Sequence, residues 1–222
     1  IPPPLNDNLV QAVQTLYKAM FIEPECKYPT VPMVELCSKI GSGATPKGGK
    51  SAYCDEGISL IRSTNVFDYN FAYTDLAHIS DEQANALSNV VVEQKDVLFN
   101  ITGVSVARCC IVPDDVLPAR VNQHVMILRP YKGKLMSYFI MATLCYTENK
   151  AKLLGIGQSG STREAINKQE MESFQIIVPP DNMIEDFGTK AEQLYNMICS
   201  NIQEIKHLES MQQLILMQLS SR

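Results

Sequence analysis

The sequence lacks any run of about eighteen uninterrupted apolar residues, the minimum for a helix that crosses a bilayer, so no membrane-spanning helix is expected. No signal or transit peptide is visible, and a chain that begins with Ile1 is expected to be trimmed from a longer polypeptide. Basic residues are not in excess: the net charge is -5 and the pI about 5.3, which alone argues against non-specific nucleic-acid binding. The charge is nevertheless uneven, with Lys39, Lys47, Lys50 and Arg62 clustered early and Glu185, Asp186, Glu192, Glu204 and Glu209 late. No C-x-x-C pair occurs among the seven cysteines, an odd number that fits reduced core thiols of a cytosolic protein. His78, His124 and His207 lie far apart in the sequence and far from any cysteine pair, so no metal site is expected.

Catalytic signatures are missing too. There is no G-x-S-x-G nucleophile elbow, and no pair of carboxylates stands out as acid and base. The segment Val178-Pro179-Pro180-Asp181 lacks the Asn and the aromatic of the step used by nucleobase methyltransferases.

What the chain does have is a long heptad. Ile184, Phe187, Ala191, Leu194, Ile198, Asn201, Ile205, Leu208, Gln212, Ile215 and Leu219 alternate in spacings of three and four, the seam of a coiled coil. At ~1.5 Å per residue such a helix spans roughly 55 Å. It is expected to outgrow the body it leaves and to need a partner helix, in this chain or another. Asn201 and Gln212 are polar where a seam is normally apolar, a device that fixes register at some cost in stability.

The rest divides readily. An amphipathic helix is expected over residues 5–21, with Leu9, Val13, Leu16 and Met20 on one stripe, followed by a proline-containing linker. Strands are expected near 31–36, 58–62, 90–92, 97–101, 104–112, 121–128 and 174–178, and helices at 81–87, 135–153 and 167–172. This is an α+β pattern: a mixed, mainly antiparallel-strand domain between a short N-terminal helix and a long C-terminal coiled-coil helix entered through Pro179-Pro180.

Two motifs invite a catalytic reading. Gly155-Ile156-Gly157-Gln158-Ser159-Gly160 fits G-x-G-x-x-G, but the segment before it reads as helix and no βαβ unit surrounds it, so a flexible Gly/Ser loop is expected instead. Asp114, Glu148 and Lys150 formally match the metal-binding set of a stand-alone Mg-dependent restriction nuclease, which requires the carboxylates side by side at the scissile phosphate.

Several phrases in order resemble one family: residues 34–46 (VELCSKIGSGATP), 57–66 (GISLIRSTNV), 96–103 (DVLFNITG), 121–124 (VNQH) and 166–180 (INKQEMESFQIIVPP). Together they resemble the specificity (S) subunit of type I restriction–modification enzymes. The resemblance divides the chain into the end of a conserved helical region (1–27), a target recognition domain (28–180) and a conserved spacer helix (181–222). Full-length family members usually carry two recognition domains and this chain has one, so it is either part of a longer subunit or a half-subunit that dimerises. The resemblance implies a non-catalytic, cytoplasmic prokaryotic protein that reads one half of a bipartite double-stranded DNA target. Its helices would dock methylation subunits, joined by a restriction subunit, and a second recognition half would be supplied in cis or by a homodimer. No cofactor is expected on this chain; S-adenosylmethionine, ATP and Mg belong to the partners.

Side-chain chemistry then nominates contacts. Arg suits guanine, and Asn and Gln suit adenine, so Arg62, Asn65, Arg108, Asn122, Gln123 and His124 are candidate base readers. Lys47, Lys50, Thr102, Ser105, Ser161, Thr162 and Arg163 are candidate phosphate contacts. The seam residues Ile184, Phe187, Leu194, Ile198, Asn201, Ile205, Leu208, Gln212, Ile215 and Leu219 are candidates for a helix interface.

Overall fold

A computed structural model describes residues 6–25, 27–159 and 164–220. Its elements in chain order are α1 (Asp7–Phe21), β1 (Thr30–Pro32), β2 (Cys37–Ser42), β3 (Tyr53–Cys54), β4 (Ile58–Ile61), β5 (Val66–Phe67), β6 (Asn70–Phe71), β7 (Ala77–Ile79) and α2 (Asp81–Ala86). Then come β8 (Val91–Val92), β9 (Val97–Asn100), β10 (Cys109–Ile111), β11 (Ala119–Val121), β12 (Val125–Pro130), α3 (Gly133–Cys145), α4 (Thr147–Ser159), α5 (Lys168–Ser173), β13 (Gln175–Ile177) and α6 (Asp181–Ser220).

The centre is an antiparallel sheet in the order β10-β9-β12-β2. Its two middle strands read almost without polar interruption, Val97-Leu98-Phe99 and Val125-Met126-Ile127-Leu128, because both of their faces are covered. The period-two alternation assigns each side chain to a layer. Val97, Phe99, Cys109, Ile111, Met126 and Leu128 face a helical layer, while Leu98, Cys110, Val125 and Ile127 face a second sheet. That second sheet, β3-β7-β4-β11-β8, is mixed: β4 and β11 run parallel and the other pairs antiparallel.

In the helical layer, α3 is buried continuously from Met136 to Cys145. Around it Tyr17 and Phe21 of α1, Phe139 of α3 and Phe187 of α6 form an aromatic cluster, with ring centroids 5.2 Å apart for Phe21–Phe139 and 5.4 Å for Phe21–Phe187. Helix α6 approaches α3 closely because Gly188 faces Leu135; a Cβ there would lie 2.8 Å from both the Leu135 Cβ and its carbonyl oxygen. The flanking segments also meet through the two-stranded β1–β13 ribbon.

The structure departs from the sequence reading at several points. The expected helix 135–153 is two helices, α3 and α4, parted at Tyr146, whose extended backbone ends α3. Asn149 then donates to the Thr143 carbonyl at 3.0 Å, satisfying a group the break exposes. Gly155 and Gly157 lie within α4 rather than in a Gly/Ser loop, and Gly160 lies outside the described residues. The expected strand 31–36 stops at Pro32, and β2 begins only after a helical turn at Met33–Glu35. The expected strand 104–112 keeps only β10, because Gly103 enters a turn with φ +67°. The run 121–128 is split by a turn, so that β11 belongs to one sheet and β12 to the other.

Helix α6 has 40 residues, about 60 Å at the standard rise. It buries the first half of its stripe against helices of its own chain, with Ile184, Phe187, Ala191 and Ile198 in the core beside Gly188 and Tyr195, and then outgrows the body. Residues 206–220 are exposed on every side.

Candidate nucleic-acid interface

At one end of the paired sheets the turn at 122–124 lies beside the ends of β4 and β9, near Arg62, Thr102 and Arg108. The turn Asn122-Gln123-His124 carries the chain from one sheet to the other and is held from several sides. Asn122 N–H donates to the Ile61 carbonyl (3.0 Å), Gly43 N–H to the Asn122 carbonyl (3.1 Å) and Ile101 N–H to the His124 carbonyl (3.0 Å). Glycine is required at position 43, since a Cβ would fall 1.7 Å from the Val121 carbonyl oxygen. The neighbouring loop is fixed by Gly103 N–H donating to the Glu164 carbonyl (2.9 Å) and by the Thr102–Ala165 bridge.

Within this rim His124 is oriented at both ring nitrogens. Nδ1 lies 2.7 Å from the Thr102 hydroxyl and Nε2 lies 2.9 Å from the Gln123 amide nitrogen. Gln123 is exposed, so its amide lies at the surface beside a ring already set in place. The Arg108 guanidinium stacks over Phe67 at 4.6 Å, which holds its fork in a plane. Arg62 lies over Tyr53 at 5.6 Å and donates to the Asp75 carbonyl.

One nominated base reader is corrected, and a second has its oxygen engaged within the fold. Asn65 is 0% exposed, and its amide is fully used within the fold: it accepts from Arg62 N–H and donates to the Ala72 and Thr74 carbonyls. Asn122 is 8% exposed, and its side-chain oxygen accepts from His124 N–H at 3.0 Å. Both shape the turns that carry the accessible residues, and the Asn65 amide has no polar edge left for a ligand. Lys47 and Lys50 are exposed on the loop after β2, where the Lys47 carbonyl is tied to Gln83 of α2. Thr102 and Ser105 are half-buried on the His124 rim, with Ser105 donating to the Thr102 carbonyl. Ser161, Thr162 and Arg163 lie outside the described residues.

Sequence reasoning missed Val104, which projects from the same loop with 98% of its surface exposed. Its setting in V-S-V-A-R looks like one face of a strand, and only the turn at Gly103 turns it outward.

The nuclease constellation does not assemble. Lys150 pairs with Asp68, Glu148 stands in the first turn of α4, and Asp114 lines a cleft beside Tyr195 and Cys199. Among the described residues no group of three or more His, Cys, Asp or Glu side chains could hold a metal ion.

A family model described as type I restriction modification DNA specificity domain matches residues 29–209, which contain both sheets and most of α6. The chain belongs to this family. Solved structures agree on the fold of this specificity domain. A chain from a study titled for complex assembly and conformational transition of the type I R-M system matches with TM-score 0.61 and 20% identity, over 93% of this chain and 49% of that one. The HsdS subunit from Thermoanaerobacter tengcongensis matches with TM-score 0.58 and 18% identity, over 88% and 45%. The S subunit of a type-I restriction-modification system from M. genitalium matches with TM-score 0.61 and 12% identity, over 93% and 55%. The specificity domain thus spans about half the length of each of these chains.

Proposed function

We propose that this chain is the recognition portion of a type I restriction–modification specificity subunit, reading one half of a split double-stranded DNA target without catalysing a reaction itself. The observation that carries the reading is the family match across residues 29–209. The rim supports it: Gln123, His124, Arg108 and Arg62 are surface or half-buried groups on braced turns and are the base readers of this proposal. Lys47, Lys50, Thr102, Ser105, Ser161, Thr162 and Arg163 hold phosphates in the same reading. The helices dock methylation subunits, and the exposed Leu208, Gln212, Ile215 and Leu219 of α6 meet a second recognition half in cis or in a homodimer. A restriction subunit completes the assembly in the prokaryotic cytoplasm, and S-adenosylmethionine, ATP and Mg reside on the partners.

The test is binding by the full-length protein assembled with its methylation subunits, using a target found by comparing methylomes of the source cell with and without the gene. Target DNA is expected to bind at least about a thousandfold more tightly than random DNA at physiological salt. Equal affinity for all sequences would overturn the proposal.

A further inference from the structure

Helix α6 leaves the body through two polar contacts on opposite faces. Asn201 and Gln203 are two positions apart, about 200° around the helix. On one face Asn201 donates to the Asn6 side-chain oxygen at 2.9 Å, tying α6 to the start of α1. On the other, Tyr73, Asp115 and Gln203 close a ring of hydrogen bonds. The Tyr73 hydroxyl donates to Asp115 Oδ1 (2.8 Å), and Gln203 Nε2 donates both to the Tyr73 hydroxyl (2.8 Å) and to Asp115 Oδ2 (2.7 Å). Tyr73 is itself braced edge-on by Phe71, centroids 5.1 Å apart, and capped by the Lys206 ammonium 4.4 Å from its ring.

The ring of bonds stands between two open clefts. One, of about 300 Å³, is lined by Phe71, Tyr73, Ile202, Ile205, Lys206 and Glu209. The other, of about 340 Å³, is lined by Tyr73, Lys95, Asp115, Tyr195, Cys199 and Gln203. Cys199 and Ile202 still pack against the core at this level, and the hydrogen bonds add directional ties that hold the angle of the helix. The last fully buried residue of the stripe, Ile198, lies just before this level, and from residue 206 onward the helix is exposed.

We infer that the Tyr73–Asp115–Gln203 ring, opposed by Asn6–Asn201, is a collar that fixes the exit angle of α6 and so sets the gap length tolerated between the two halves of the DNA target. The inference rests on the split-target reading above. The arithmetic makes the angle matter. From Gln203 to Ser220 the helix runs about 25 Å at ~1.5 Å per residue. A tilt of about 10° moves its tip by ~4 Å, more than the ~3.4 Å rise of one base pair. Tyr73, Asp115 and Gln203 are therefore positioning residues: they need not touch DNA to restrict which spaced pairs of half-sites can be occupied together.

The experiment uses the full-length protein assembled with its methylation subunits. Methylation is measured on targets whose gap is native, one base pair shorter or one longer, alongside thermal unfolding of the specificity protein. Gln203→Leu removes both donors; Tyr73→Phe removes a single oxygen and keeps the ring under Lys206, so it remains informative if Gln203→Leu fails to assemble. In both variants methylation at the altered gaps is expected to rise at least about tenfold relative to the native gap, the change a 1.4 kcal/mol relaxation produces. Recognition within each half-site should be unchanged. If the wild-type assembly is strict about gap length and Tyr73→Phe is equally strict, the collar inference is wrong. If the wild-type assembly shows no split target at all, the reading beneath it is wrong.

Discussion

Asn201 of the last helix and Asn6 at the start of the first are hydrogen-bonded, Nδ2 to Oδ1, at 2.9 Å, although 195 residues separate them in sequence. Asn6 is 5% exposed and passes the contact on, its own Nδ2 reaching the Ile198 carbonyl at 3.4 Å. The polar seam position in the heptad has its partner inside the same chain. Leucine at position 201 would suit an apolar seam, but here it strands a buried acceptor, the Asn6 side-chain oxygen. Asn201→Leu should cost about 1–3 kcal/mol in urea denaturation. The double substitution with Asn6→Leu should cost less than the two singles summed. A strictly additive cycle would mean that the bond contributes nothing.

Gly188 and Gly155 are both helical and should respond in opposite directions to alanine. Gly188→Ala drives a methyl against the Leu135 Cβ and carbonyl at 2.8 Å and should destabilise the protein by about 1–3 kcal/mol. Gly155 has nothing within 4 Å of its would-be Cβ and is exposed, so Gly155→Ala should stabilise by about 0.5–1 kcal/mol. Chemical denaturation of the two variants checks both. A loss of stability in Gly155→Ala would show that this stretch needs a glycine after all.

The thiols should divide sharply in reactivity. Cys54 is exposed, whereas burial pushes Cys37 up to about 12 and Cys199 up to about 11. At pH 8 an alkylating reagent should modify Cys54 of the native protein well before Cys37 or Cys199, as read by peptide mass spectrometry. The same shift makes stability depend on pH. A thiol whose folded-state value is raised contributes stability that is present below the unfolded value of 9.0 and is lost as pH climbs from there toward about 12. The denaturation midpoint should therefore fall over that alkaline window, and fall less in Cys37→Ala.

Asn65 and Gln123 separate structure from recognition. Asn65→Ala empties a fully buried site and leaves the Arg62 N–H and two carbonyls without their amide partner, so it should destabilise the fold by about 1–3 kcal/mol. Gln123→Ala, at an exposed position, should leave stability within about 0.5 kcal/mol while changing which bases the assembled complex prefers. Unaltered base preference in Gln123→Ala would remove that residue from the reading set.

Much of the architecture was legible in the residues because its signals are local. The 3.6-residue stripe marked α1 and α6, and unbroken apolar runs marked β9 and β12. The Asn167–Glu170 capping box, with bonds of 2.7 and 2.9 Å, stands at the start of a helix expected within one residue of its bounds. The short strands β5, β6 and β7 escaped notice, since two or three residues carry no readable period and exist only through their cross-strand partners.

The site was less legible. Chemistry nominated Arg, Asn, Gln and His as residues able to face a base, but it could not say which ones turn outward. The same Asn-Gln-His run holds one amide whose oxygen is tied to a backbone N–H and one at the surface, because a turn between two sheets, rather than a strand, passes through it. The sequence by itself determined the family, the α+β class and the length of the final helix, all of which follow from patterns between near neighbours. The tertiary structure alone decided how far that helix is buried, which amides remain accessible, and that Tyr73 meets Gln203 across 130 residues. Those are matters of long-range packing and of where each buried polar group finds its partner, and no local period encodes them.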